Sequence, residues 1–276
     1  FHPDVRTFEV SRKGTVIGLF YLDNYARPGK RSGAWMTTYK DQNKLGNSSM
    51  ILASNNNNFV KPAAGETTLI SLDDASTLFH EFGHAIHYFN YDITYPTLGE
   101  TPRDYVEFPS QVNENWLMTP YVLQKYAVHY KTGEPIPAAL LAKVEASDTF
   151  MQGFATTEYL ASAILDMKLH NRSTPVTDVK AFERDTLAEI GMPREMVMRH
   201  RLTQFNHLFD SDAYSAGYYS YIWSDVMGAD AWAAFTEVGV WDKPTAERFR
   251  REIFASGNSY DRTVAYRNFR GRDPQV

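Results

Sequence analysis

The chain has 276 residues, 43% of them hydrophobic, a formal net charge of −5 and no cysteine. That length and apolar content support a substantial buried core, in one large domain or two small ones, and argue against a disordered chain. The charge leaves no basic footprint for nucleic acid, and no stretch approaches the roughly 18 uninterrupted apolar residues of a membrane span. The missing cysteines exclude disulfides and Cys-rich structural zinc sites.

Taken in chain order, residues 15–25 and 49–54 carry strand-like runs, and the asparagines at 55–58 read as a loop. Residues 67–71 read as a short strand leading into a helix. Ser71-Leu72-Asp73-Asp74 offers side-chain oxygens for the N-cap of that helix. Ala75, Leu78, Phe79, Phe82, Ile86 and Phe89 then recur every three or four residues as its expected buried stripe.

The histidines of His80-Glu81-Phe82-Gly83-His84 fall off that stripe. H-E-x-x-H on a helix is the zinc-hydrolase arrangement: two imidazoles about one turn apart on one face grip a single cation. Glu81 lies about 60° round the helix from His84, where it reaches an activated water without ligating the metal. A catalytic zinc takes three protein ligands and leaves one position open, so a third donor must come from elsewhere. His87 returns near the azimuth of His80 but lies about 10.5 Å further along the axis, too far for one ion, and reads as a surface or wall histidine. A better source is the segment Asp104 to Trp116, where Glu107, Gln111 and Glu114 share a face if it is helical, with Pro109 starting or kinking the helix. Buried acids need a partner, and a cation is one. Spacing does not choose between Glu107 and Glu114, and a polar face turned to solvent is the plain alternative. Asp104 and Glu114 are candidates for the acid that holds the outer ring nitrogen of a ligating histidine.

Helices dominate the remainder, at residues 120–130, 137–171 with a break at Gly153, 177–190, 222–238 and 245–254. Ahead of residue 222, Tyr214, Tyr218, Tyr219 and Tyr221 crowd round Gly217 after the turn Asp210-Ser211-Asp212. This reads as a flexible aromatic loop whose glycine permits backbone excursions or close approach to a ligand. With 17 tyrosines in the chain, packing is the ordinary use of any one of them. His2, His129, His170 and His200 lie in ordinary helical or terminal surroundings and read as structural. There is no internal repeat.

Three stretches together, Leu78 to Ala85 (LFHEFGHA), Thr101 to Gln111 (TPRDYVEFPSQ) and Asp212 to Trp223 (DAYSAGYYSYIW), closely resemble the thimet oligopeptidase family of zinc peptidases. Within it the bacterial peptidyl-dipeptidase (dipeptidyl carboxypeptidase) branch is most similar. Gly18-Leu19-Phe20-Tyr21, Tyr25-Ala26-Arg27, Lys30 to Met36, Lys61 to Glu66 and Asn268 to Pro274 extend the likeness from near residue 15 to the end.

The resemblance implies a mainly α, zincin-type metallopeptidase catalytic domain with a small β-sheet beside the active-site cleft. It implies one Zn2+ ion held by His80, His84 and Glu107, with Glu81 as general base. The family's substrate-facing tyrosines fall on Tyr214, Tyr218 and Tyr221 and a histidine upstream of them on His207, with no role for Tyr219. A phenol or imidazole beside the metal can donate to the developing oxyanion, which makes Tyr214 and Tyr221, then His207, the candidates for that role and leaves Tyr218, with Gly217, as candidates for substrate contact. The expected reaction is hydrolysis of oligopeptides with release of C-terminal dipeptides, short peptides being the partners. The alternatives are an endo-acting oligopeptidase with the same site, or an inactive truncated module that binds peptide or metal. Dipeptide release needs a positive group for the free C-terminal carboxylate, and Arg103 is a candidate. Family members are considerably longer, so residues 1–276 are expected to be a single catalytic domain from the C-terminal portion of such a protein. Its apolar channel face is then exposed, or covered by the missing N-terminal half or by self-association. The expected compartment is cytoplasmic or periplasmic in a bacterium, with no nucleic-acid or membrane partner.

Overall fold

The computed structural model describes residues 1–45 and 50–275, which form two compact units: residues 1–135 with 224–276, and residues 136–223. In chain order the first unit opens with strands β1 (Arg6–Arg12), β2 (Thr15–Tyr25), β3 (Trp35–Lys40) and β4 (Ile51–Phe59), followed by helices α1 (Leu72–Phe89), α2 (Glu107–Glu114) and α3 (Pro120–Tyr126). The second unit holds α4 (Ala138–Ser147), α5 (Gln152–His170) and α6 (Val179–Glu189). Helix α7 (Ser220–Thr236) begins in the second unit and continues in the first, which ends with α8 (Lys243–Phe249), a π-helical turn (Arg250–Ala255) and α9 (Arg262–Arg270). No helix among the described residues is long and apolar enough to cross a membrane.

The sheet order is β1-β2-β4-β3, with β2 and β4 parallel and both outer pairings antiparallel. Helix α1 packs on it through Ala85 and Phe89, which bury against Phe20, Ile51 and Ala53. A second core joins Phe108 and Val112 of α2 to Ala231 and Phe235 of α7 and to Phe249, Ile253 and Tyr266. The second unit has its own core of Ala161, Leu165, Met198, Leu202, Phe205 and Leu208.

The asparagines at 55–58 are not a loop: β4 runs through them to Phe59, while Ser49, where the expected strand began, lies outside the described residues. Asparagine favours turns because its amide competes for nearby backbone, and here every amide of the run is engaged elsewhere. Asn56 Nδ2 donates to Ser54 Oγ at 2.9 Å, Asn57 Nδ2 to Asn24 Oδ1 at 3.0 Å, and Asn58 Nδ2 to the Arg31 carbonyl at 2.8 Å. Lys30 fastens the same region, its buried ammonium bonding the carbonyls of Asp23, Tyr25 and Asn57 beside the Asp23 carboxylate. Arg27 completes the cluster with a bidentate pair to Asp23 at 2.6 and 2.7 Å. The motif residues Arg27 and Lys30 thus close the end of β2 onto β4.

Residues 67–71 join no strand, against the expectation; Thr68 Oγ1 meets Tyr25 Oη at 2.8 Å instead. The long helical segment breaks at 148–151 rather than at Gly153, with Met151 left-handed at φ 56°. The stripe on α1 also departs from expectation. Phe82 is 40% exposed, while Glu81, Gly83, His84 and His87 are buried. The apolar stripe faces a groove of about 710 Å³ in the first unit, lined by residues such as Phe8, Phe20, Phe82, Ile86, Trp116 and Trp241. The polar face is the one covered by protein.

Candidate metal centre and tyrosine cluster

Helix α1 starts as its sequence dictates. Ser71 Oγ accepts the Asp74 N–H at 3.0 Å and Asp74 Oδ2 accepts the Ser71 N–H at 3.1 Å, a reciprocal capping box. Two turns on, the rings of His80 and His84 stand 4.9 Å apart on one face. Helix α2 brings Glu107 to both: its Oε2 lies 3.1 Å from His80 Nε2 and 3.2 Å from His84 Nε2. Pro109 sits in the first turn of α2, where a missing N–H removes no helical bond.

The close approach of the two helices depends on Gly83. A Cβ there would sit 2.7 Å from Ser110 Cα and 2.8 Å from Asn113 Cβ, so only glycine lets α2 lie this near. Asn113 Nδ2 then reaches the Phe79 carbonyl at 2.7 Å, and Ser110 Oγ donates to the Glu107 carbonyl at 2.8 Å.

Glu114, two turns after Glu107, meets the other side of the same ring, with Oε1 2.7 Å from His80 Nδ1. Ser76 Oγ donates to the second oxygen of Glu114 at 3.3 Å. The spacing left Glu107 and Glu114 equal; the structure gives them different atoms of one imidazole. Of the two outer acids considered, Glu114 holds His80, whereas Asp104 offers its backbone carbonyl to Ser224 Oγ at 3.3 Å.

The donor set fits a tetrahedral ion. Bonds of about 2.0–2.1 Å at tetrahedral angles separate neighbouring ligand atoms by about 3.3 Å, close to the spacings found here. Among the described residues His80, His84 and Glu107 form the group able to hold a metal. The electrostatics agree. Burial works to raise the Glu107 pKa, yet His80 and His84 hold it well below the usual carboxylate range. Burial works to lower that of His80, but Glu107 and Glu114 outweigh it and push it up to about 10. Positive charge is favoured at this point, and a divalent ion supplies it.

Glu81 is buried, and burial raises its pKa against the pull of His84 and His80. The Met36 backbone N–H of β3 hydrogen-bonds it. Asn55 of β4 docks on the same turn, its amide nitrogen donating to the Glu81 carbonyl at 3.0 Å and its oxygen accepting the Phe82 N–H at 2.8 Å. His87 is neither a surface residue nor part of the donor set. It is 1% exposed against Tyr91 and Phe254, and burial lowers its pKa to about 3.

In the second unit the residues singled out by the sequence converge on one histidine. The ring of His207 lies 5.0 Å from Tyr214, 5.4 Å from Tyr218 and 5.9 Å from Tyr221, and its Nε2 is 3.4 Å from Tyr221 Oη. Gly217 is buried at the centre of this segment, but the unusual backbone expected of it belongs to its neighbour: Ala216 has φ 55°. Helix α7 starts at Ser220, two residues earlier than expected.

Sequence reasoning did not find Ser76, Asn55 or the role of Gly83. Ser76 had a signal, lying four residues before His80 on the same face. Asn55 had none, since its partners are remote in sequence.

A helix bearing H-E-x-x-H, packed on a small sheet and joined by a carboxylate from a second helix, defines the zincin class of metallopeptidases. The fold agrees with this, for the M32 carboxypeptidase from Deinococcus radiodurans R1 superposes with a TM-score of 0.54 at 12% identity, over 94% of this chain and 52% of that one. The chain belongs to peptidase family M3, whose family model matches residues 1–276. It is 39% identical over 282 residues to the dipeptidyl carboxypeptidase of Escherichia coli (strain K12), covering 100% of this chain and 41% of that protein. It is 37% identical over 285 residues to oligopeptidase A of the same organism, covering 100% of this chain and 42% of that protein. The chain therefore spans about two fifths of the length of these relatives.

Proposed function

We propose that this chain carries the catalytic site of a zinc peptidase that cleaves oligopeptides and releases C-terminal dipeptides. The observation that carries the reading is the convergence of His80, His84 and Glu107 within 4.8 Å of one another, beside the buried Glu81. A zinc ion in that set would polarise the scissile carbonyl and lower the pKa of its bound water to about 7. Glu81 takes the proton of the attacking water and passes it to the leaving amine; a carboxylate whose pKa is raised by burial suits both transfers. Glu114 holds the Nδ1 side of His80 and so keeps Nε2 directed at Glu107 Oε2. Tyr214, Tyr221 and His207 donate to the oxyanion, and Tyr218 with Gly217 contacts the peptide. Residues 1–276 act as one catalytic domain. The apolar groove beside Phe82 suits cover by the further length that the relatives possess or by self-association.

Replacing Glu81 with glutamine tests the mechanism. The variant should bind zinc as before while peptide cleavage falls by about 10²–10⁴-fold. Persisting cleavage would refute the mechanism, and loss of zinc would make Glu81 structural. A second reading, endo-acting cleavage by the same site, is kept because oligopeptidase A is nearly as similar as the dipeptidyl carboxypeptidase. A C-terminally amidated peptide and its free-acid twin separate the two: dipeptide release requires the free acid, so equal cleavage favours the endopeptidase.

A further inference from the structure

Asp166 of α5 is fully buried, yet no step of the proposed reaction uses it. A carboxylate removed from water needs donors on both oxygens. Oδ1 accepts the Ala216 N–H at 3.1 Å and meets His170 Nδ1 at 2.7 Å, while Oδ2 accepts the Tyr218 N–H at 2.9 Å. Two turns earlier on the same face of α5, the Tyr159 hydroxyl donates to the Tyr218 carbonyl and accepts the Ile222 N–H at 3.3 Å. The Tyr159 ring also stacks on that of Tyr218, with centroids 5.3 Å apart.

Two side chains of one helix thus engage both backbone groups of Tyr218 and the N–H groups of Ala216 and Ile222. The segment so held contains Ala216 at φ 55°, a left-handed conformation that a residue with a Cβ adopts only when its surroundings impose it. His170, four residues after Asp166, fixes the rotation of the carboxylate.

We infer that Asp166 and Tyr159 are positioning residues, which clamp the 216–222 backbone and thereby aim Tyr214, Tyr218 and Tyr221. The inference rests on the reading of those tyrosines given above. It also replaces the freely flexible loop that the sequence suggests with a segment bonded to α5.

The test uses the full chain with Asp166→Asn and Tyr159→Phe. Asparagine keeps the size and one acceptor but turns an N–H toward an N–H, and phenylalanine keeps the stacked ring without its hydroxyl. Hydrogen exchange should quicken by about tenfold or more at Ala216 and Tyr218 in the first variant and at Ile222 in the second, with α6 unchanged in both. At equal zinc content, kcat for a short peptide should fall more than KM rises, and Asp166→Asn should add little to Tyr221→Phe. Unaltered exchange in both variants overturns the clamp. Faster exchange with wild-type kcat, where Tyr221→Phe does lower kcat, overturns the positioning role. A silent Tyr221→Phe beside faster exchange sinks the tyrosine reading and the catalytic half of the inference, while the clamp stands. Should Asp166→Asn fail to fold, Tyr159→Phe decides the same questions alone.

Discussion

A histidine that offers Nε2 to a metal must keep its proton on Nδ1, and Glu114 Oε1 lies 2.7 Å from that atom of His80. The contact orients the ring and makes it a better donor. Glu114→Gln should therefore weaken zinc binding by about 10–100-fold, read by titration against a competing chelator, with the helical spectrum unchanged. Affinity equal to the wild type would mean that Glu114 is a solvated acid near the site. His80, Glu81 and His84 could be read from spacing alone, because their relation is internal to one helix turn. Spacing could not tell Glu107 from Glu114, since they recur on one face of α2 about 10.5 Å apart, and only the family resemblance pointed to Glu107. Which of them meets Nε2 depends on where α2 crosses α1.

That crossing is set at Gly83, where the two helices approach to a separation that leaves no room for a side chain. Gly83→Ala should destabilise the protein by about 1–3 kcal/mol through overpacking and, by pushing α2 outward, lower its affinity for zinc. Denaturant unfolding and the same chelator titration check this; an unchanged midpoint would show that α2 yields freely. The burial of α1 shows why periodicity misjudged its faces. Ala75, Leu78, Phe79, Phe82, Ile86 and Phe89 form a true apolar stripe, but only Phe89 of the six is buried. The groove beside the stripe remains open, while α2 and the sheet cover Glu81 and His84. Strand β4 teaches the same lesson with the opposite residue type. Its asparagines look like turn formers until their partners at Asn24, Arg31, Ser54 and the α1 backbone are known.

In the first unit as a whole, helices α7 and α9 and the tail are tied together at Asp230. Its carboxylate accepts Tyr266 Oη at 2.6 Å and a bidentate Arg272 at 2.5 and 2.9 Å. Burial works to raise its pKa, but Arg272 and Tyr266 outweigh this and hold it below the usual 3.8. A depressed folded-state pKa stabilises the protein above about pH 4, and the contribution drains away as pH falls through the folded value. Asp230→Asn should accordingly lose about 1–3 kcal/mol at neutral pH, and the loss should shrink on acidification. Urea midpoints from pH 7 down to pH 3 test this, and a loss that stays constant with pH would remove the electrostatic argument.

By itself the sequence determined the capped helix, the paired imidazoles with their neighbouring carboxylate, most of the later helices, though not α9, and the family. Each of these is a local pattern whose physics is complete within a turn or two of backbone, or a string of residues matched in order. Only the tertiary structure decided that Glu107 and Glu114 take opposite sides of His80, that Asn55 docks on the backbone of Glu81 and Phe82 and that Asp166 grips the backbone of the tyrosine segment. Those contacts join residues from 26 to 52 positions apart in the chain, and the hydrogen-bonding capacity of a buried side chain says that it has partners without saying which.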